Sequence, residues 1–208
     1  MAPTLLARLP LCGQVVTADA LHCQAALCRQ IRTARGHYVV MVKENQPHLY
    51  ADIALLFAAP PPGERFATAR RVDCHGDRTE VRQLWASAAL TGYLTWPGVA
   101  QVCKVERVVQ RQGRRTQEVR YAVTSLAGAS AAQLLQLIRG HWRIENRLHY
   151  VRDVTFGEDA SRIRTRAAPQ VMAALRNAVL ALRRQQGWEN IAAALRQYAW
   201  QPGAARQV

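Results

Sequence analysis

The sequence lacks the features that would place it in a membrane, in an oxidising compartment or around a zinc ion. No run of about 18 apolar residues is present, so no transmembrane helix is predicted. The N-terminus lacks the basic patch, long apolar stretch and cleavage site of a signal peptide. The five cysteines are scattered and form no Cys-x-x-Cys pair, which favours reduced thiols over a disulfide framework or a zinc knuckle. We therefore expect a soluble cytoplasmic protein without membrane contact.

Negative charge is also scarce. The chain has 28 Lys+Arg against 14 Asp+Glu, a formal net charge of +14, and lysine occurs only at Lys43 and Lys104. Such a field concentrates anions and makes nucleic-acid binding salt-dependent. Charge alone leaves two interpretations open, a nucleic-acid-binding surface or an arginine-rich solubilising surface.

The order of patterns predicts an α/β protein in three parts. With 208 residues and 50% apolar content, the chain can bury one substantial core. In the first part, residues 1–58, a strand over Val15 to Thr17 ends at Asp19, a helix follows over residues 20–35, and His37 to Lys43 forms a buried strand parallel to the first.

The middle part, residues 59–128, is predicted to be an antiparallel β-rich insertion. Its alternating segments are separated by the turns at residues 75–77 and 112–114, which indicate hairpins. The last part, residues 129–208, is predicted to be helical. Ser130 caps one helix, Pro169 opens another that ends at Gly187, and a third spans residues 189–199.

Most of the candidate chemistry lies in one arginine-rich helix. Glu145 has His141 four residues before it and His149 four residues after it, so the three share a helix face. Three interpretations remain open for this face. A zinc ion could bind it, although the His-Glu-x-x-His order is absent. Glu145 could instead pair with neighbouring arginines on a solvated surface, or join Asp19 in a magnesium site.

Four blocks in the same order resemble the insertion-sequence transposases of the ISAs, or H-repeat-associated, family. The most specific runs from Ile138 to Asn146 and continues through residues 153–156 and 158–164. Residues 16–24 and 36–46 are similar to the family's strand with the second catalytic Asp and to the strand after it. His75-Gly76 with Glu80 and Arg82 matches a fourth, weaker block. Together the blocks cover nearly the whole chain.

This resemblance implies an RNase H-like core of the DDE type with a β-rich insertion. It implies that Asp19 is the second metal-binding Asp and Glu145 the metal-binding Glu, with Mg²⁺ as cofactor and Mn²⁺ as a substitute. The implied substrates are insertion-sequence ends and target DNA. Candidate residues for holding DNA are His141, Arg152, Lys43, Arg162, Arg164 and Arg166; at His141 the wider pattern has an arginine.

The family's first catalytic Asp has no counterpart here, since residues 1–14 contain no acidic residue. We therefore expect an incomplete copy that lacks the first strands of the core, exposes a sheet edge that favours association with another chain, and does not cleave DNA by itself. The alternatives are a catalytically inactive DNA-binding remnant of a transposase and, from another class, a basic scaffold for acidic proteins.

Overall fold

The structure is a computed structural model of the chain, and it describes residues 2–144, 148–201 and 203. The chain divides into two compact units, Met1–His141 and Trp142–Val208. None of the helices in these described ranges is long and apolar enough to cross a membrane. The elements from residue 2 to residue 144 are α1 Ala2–Leu6, β1 Val15–Ala18, a 3₁₀ turn Ala20–His22, α2 Ala25–Thr33, β2 His37–Val42, α3 Pro47–Ala58, β3 Ala67–His75, β4 Arg78–Ser87, β5 Gln101–Arg111, β6 Arg114–Thr124 and α4 Ala131–Ile144.

Six strands form one sheet in the order β1-β2-β6-β5-β4-β3. β1 and β2 are parallel, with Val15 opposite His37 and Ala18 opposite Val40, and α2 connects them. The predicted pair of parallel strands is therefore confirmed. Among the described strands β1 has β2 as its single neighbour, so β1 lies at an edge of the sheet.

Two long hairpins extend this sheet, and both were predicted from the sequence. β3 pairs with β4, and β5 pairs with β6 up to the turn between Arg111 and Arg114. At that turn Gln112 and Gly113 have φ angles of 49° and 76°, as a tight two-residue hairpin turn requires. β6 then runs beside β2 only from Tyr121 to Thr124, so the rest of β6 extends past the end of β2.

The two faces of the sheet carry different clusters, because side chains alternate along a strand. Tyr38, Val40 and Val42 of β2 pack with Ile31 of α2 and Ile53 of α3 in the main core cluster. All five of these side chains are buried. This apolar layer fixes α2 and α3 on one face.

The opposite face, which we call the Thr17 face, carries Thr17, Val39 and Met41. Thr17 lies opposite Val39 in the register of β1 and β2, and Val39 and Met41 are buried. The His141 ring of α4 contacts Thr17, with 3.3 Å between Nδ1 and Oγ1. Helix α4 therefore lies on this face.

One predicted helix is wrong in detail. The segment over residues 20–35 is not one helix but a 3₁₀ turn followed by α2. The break comes at Gln24, whose φ of −131° and ψ of 131° are extended. As a result Leu21, which the helical pattern placed on the apolar side, is 75% exposed.

The second unit contains a π-helical segment Val151–Thr155, α5 Ala168–Gln185 and α6 Ile191–Trp200. Val151, Leu180 and Ile191 form its buried cluster. α5 opens with Ala168 and Pro169 and is followed by Gly187 at a φ of 84°. The two last helices thus agree with the sequence prediction.

Candidate active site

Asp19 lies where β1 ends. Its backbone is extended, and its carbonyl accepts a hydrogen bond of 2.9 Å from His22 N in the 3₁₀ turn. Because β1 and β2 are parallel, their carboxyl ends meet at the same edge, and Lys43 follows β2 there. Lys43 Nζ is 4.0 Å from Asp19 Oδ1. The two functional residues predicted on these strands are therefore neighbours.

The Asp19 carboxylate is enclosed on one side and open on the other. Its Oδ1 atom has almost no solvent contact and accepts no hydrogen bond from the residues that the structure describes. The side chain as a whole is 39% exposed. Lys43, 4.0 Å from this atom, offsets part of the cost of an enclosed carboxylate oxygen without a hydrogen bond, and a cation bound to the carboxylate would offset more. Asp19 is thus suited to bind a metal ion.

Asp19 faces a cleft of about 530 Å³. The cleft exists because β2 ends at Val42 whereas β6 continues, so Glu118, Val119 and Arg120 of β6 form one wall. The other lining residues are Asp19, Ala20, Leu21, Met41, Val42, Lys43, Glu44, Asn45 and Tyr50. The β6 wall was not predicted from the sequence, since no local signal shows that β6 outruns β2.

Helix α4 brings a further predicted residue to this region. His141 contacts Thr17, which is two residues before Asp19 and so belongs to the same side of β1. Glu145, the predicted metal ligand of this segment, lies outside the described residues. Within the described ranges no three His, Cys, Asp or Glu side chains form a group that could hold a metal ion.

Arg152 is already engaged by a carboxylate. Its Nε and Nη2 atoms donate to Glu158 at 2.6 and 2.5 Å. This fork raises the pKa of Arg152, and the same hydrogen bond lowers the pKa of Glu158. In this structure the positive charge of Arg152, a predicted DNA contact, is therefore balanced by Glu158.

The other predicted DNA contacts of this segment, Arg162, Arg164 and Arg166, are all exposed. Arg166 has a positive φ of 48°. His149, part of the predicted stripe around Glu145, is exposed as well. Arg162, Arg164 and Arg166 are therefore accessible to a polyanion.

A charge network that the sequence only hinted at ties the hairpins to α4. Glu80, 7% exposed, accepts hydrogen bonds from Arg78 at 2.7 Å and from Arg107 at 2.6 Å and pairs with Arg82. Arg82 also pairs with Asp73 at 3.3 Å, and Asp73 forms an ion pair with Arg139 of α4 at 2.9 Å.

The network holds both of its carboxylates ionised. Burial alone would raise the pKa of Glu80, but the hydrogen bond from Arg107 and the charges of Arg82, Arg107 and Arg78 together lower it. The pKa of Asp73 is lowered in the same way by its arginines against the effect of burial. The block with His75-Gly76, Glu80 and Arg82 was the sequence signal for this network, although nothing in it identified Arg139 as a partner.

Comparison with known proteins gives one family. Residues 1–182 match the family described as Transposase DDE domain. YncI of Escherichia coli O157:H7, named as a transposase, is 30% identical over 193 residues, which cover 88% of this chain and 48% of YncI. YhhI of Escherichia coli K12, named as an H repeat-associated transposase, is 27% identical over 187 residues, 84% of this chain and 48% of YhhI.

A third relative is an uncharacterised protein in the dhlA 3′ region of Xanthobacter autotrophicus. It is 32% identical over 126 residues, which cover 59% of this chain and 43% of that protein. The chain thus spans about half the length of the relatives that it matches.

Proposed function

Because the chain belongs to the transposase DDE domain family, we propose that it acts in metal-dependent cleavage and joining of DNA strands during transposition. The resemblance to H-repeat-associated transposases found in the sequence is confirmed by the named relatives. A role in transposition follows from the family. Beyond that role, we propose the metal-dependent chemistry, the metal ligands and the DNA contacts.

The observation that carries the proposal is the Asp19 carboxylate. It lies at the carboxyl end of β1, its enclosed Oδ1 lacks a donor within the described residues, and it opens into a cleft large enough for part of a nucleotide chain. We assign Asp19 and Glu145 as carboxylate ligands of Mg²⁺, for which Mn²⁺ can substitute. The assignment of Glu145 rests on its sequence block alone.

The core is proposed to be RNase H-like. The parallel pair β1 and β2, the connecting helix α2 and the antiparallel strands beyond β2 support such a core. The chain spans about half the length of YncI and YhhI, and the activity proposed here is that of a whole transposase.

The chain's own residues have separate roles in this proposal. Asp19 supplies a negative oxygen, and bound magnesium would activate water or a DNA 3′-hydroxyl and stabilise the departing oxygen. Lys43, 4.0 Å from Asp19, orients a phosphate at the cleft. His141 holds α4 against β1 through Thr17. Arg162, Arg164 and Arg166 bind the DNA backbone without reading sequence.

Iron-directed cleavage of the protein tests the ligands without requiring catalysis. Fe²⁺ replaces Mg²⁺ in the purified chain, and ascorbate with peroxide then produces radicals that cut the backbone near the ion. We expect cuts near residues 19 and 145, both lost in Asp19→Asn and in Glu145→Gln.

Glu44→Gln is the matched control, because Glu44 lines the same cleft but has no role in the proposal. The cuts should persist in this variant. Cuts that ignore Asp19 and Glu145, or that vanish with Glu44, would contradict the assigned ligands. DNA binding without any such cuts would favour the inactive DNA-binding remnant.

A further inference from the structure

The part of β6 that extends past β2 carries arginines from the cleft towards the hairpin tip. β6 is paired with β5 along its whole length but with β2 only from Tyr121 to Thr124. Residues 114–120 therefore have one described strand neighbour, on the β5 side. Three residues of this stretch, Glu118, Val119 and Arg120, line the Asp19 cleft.

The register places alternate residues of β6 on the Thr17 face. Ala122 lies opposite Met41, and Met41 is two residues beyond Val39, the partner of Thr17. Counting back by twos along β6, Arg120, Glu118 and Arg114 share the Thr17 face, whereas Arg115 belongs to the opposite face.

The excess of positive charge on this line lies towards the hairpin tip, because the cleft itself is lined by three carboxylates, Asp19, Glu44 and Glu118, and two cations, Lys43 and Arg120. Arg120 donates to Glu118 at 2.6 Å and balances its charge. Arg107, which donates to Glu80 at 2.6 Å, reaches Glu118 at 3.8 Å. Glu44, which follows Lys43 in the chain, is a third carboxylate at the cleft besides Asp19 and Glu118. At the tip, Arg111 is 3.5 Å from Asp77, and both side chains are at least half exposed. Arg114 is exposed and has no ion pair within the described residues.

We infer that the DNA backbone leaves the Asp19 cleft along the β6 edge, held on the Thr17 face by Lys43, Arg120 and Arg114. We call this line the β6 track. It deepens the proposed function and rests on it, since the track begins at the proposed metal ligand. From Arg120 to Arg114 it covers about 20 Å at roughly 3.4 Å per residue. Measured along the axis of a duplex, that length corresponds to about six base pairs at roughly 3.4 Å each.

The chain offers a matched pair of variants, because Arg114 and Arg115 are neighbours, both are exposed, and they differ in the face they occupy. Anisotropy of a labelled 25-base-pair duplex is measured for the parent, Arg114→Ala and Arg115→Ala over a series of salt concentrations. Each phosphate contact contributes about 0.9 to the slope of log K against log salt concentration.

We expect Arg114→Ala to reduce the magnitude of that slope by about 1 and Arg115→Ala to leave it unchanged. Circular dichroism of both variants should match the parent, since each substitution is at an exposed position beside a turn. Equal effects of the two substitutions would show that DNA responds to the net positive charge and not to one face, and would overturn the β6 track. An unchanged slope in Arg114→Ala would overturn it as well.

The two proposals fail in different experiments. If the parent does not bind duplex DNA, the β6 track is overturned, while the metal ligands are still judged by the iron-directed cuts. If the cuts contradict Asp19 but Arg114→Ala lowers the slope, the basic edge binds DNA but does not lead to an active site.

Discussion

At the scale of single residues, the most constrained group is Glu80. It is nearly buried, yet its carboxylate is ionised because three arginines surround it. Without that charge Arg78 has no carboxylate partner among the described residues, and Arg82 and Arg107 keep only Asp73 at 3.3 Å and Glu118 at 3.8 Å. Guanidinium groups that lose a buried partner destabilise the fold. Glu80 therefore acts as the structural centre of the hairpin network.

We expect Glu80→Gln to lower the free energy of unfolding by about 2 kcal/mol, measured by urea denaturation. Glu106→Gln is the control, because Glu106 lies on β5 and its one hydrogen-bond donor within the described residues is the exposed Gln117. Its effect should stay within about 0.5 kcal/mol. Equal losses in the two variants would contradict a special role of Glu80.

The same network predicts a dependence of stability on pH. The pKa values of Glu80 and Asp73 are lowered in the folded chain, so their contribution is present above the unfolded pKa of about 4 and is lost as pH falls through the folded values. Denaturation between pH 6 and about 3 should show this loss. In Glu80→Gln the loss of stability at low pH should be smaller than in the parent. A pH profile equal to that of the parent would contradict the contribution assigned to Glu80.

At the scale of elements, the connection from α2 to β2 depends on a glycine that fits tightly. A Cβ atom at Gly36 would lie 2.9 Å from Leu11 O and 3.1 Å from Ile31 Cγ2. Backbone and buried side chain both limit relaxation there. The sequence predicted Gly36 as a helix stop, but close packing against Leu11 is a tertiary requirement that no local pattern shows.

Gly36→Ala should therefore destabilise the protein by about 2 kcal/mol through overpacking, seen as a lower midpoint of thermal unfolding. Gly128→Ala is the matched control, because a Cβ atom at Gly128 meets nothing within 4 Å. A midpoint in Gly36→Ala equal to that of the control would mean that Leu11 and α2 move easily.

Elements with strong local signals were predictable, and those set by tertiary contacts were not. The glycine turns at residues 76 and 113 identified both hairpins, and Pro169 and Gly187 identified α5. The break at Gln24 was missed because the apolar pattern continues through it. The charged wall of the cleft was missed because it depends on the different lengths of β2 and β6.

At the scale of the whole molecule, the net charge of +14 predicts DNA binding that does not depend on the proposed active site. Asp19→Asn removes one negative charge, so duplex binding should persist or strengthen slightly while the iron-directed cuts disappear. Anisotropy in low salt measures the first effect. Loss of DNA binding in Asp19→Asn would mean that the Asp19 carboxylate is needed either for folding or for direct contact with DNA.

The accessible arginines of the second unit give a further prediction. Replacing Arg162, Arg164 and Arg166 with Ala should reduce the salt slope by up to about 3 if each contacts a phosphate. A triple variant at the exposed residues Arg8, Arg29 and Arg35 removes the same charge from another surface and should reduce it less. Equal slopes in the two triple variants would indicate binding through net charge alone.

The edge position of β1 has a consequence for local stability. With four residues and one described neighbour, this strand has less hydrogen bonding to keep it closed than the central strands have, and such segments open first. We therefore expect the strand that leads to Asp19 to open locally more often than the central strands. A ligand that contacts both Asp19 and another element of the cleft would suppress this opening. Slower amide hydrogen exchange over residues 15–19 would therefore report that the cleft is occupied, before any chemistry takes place.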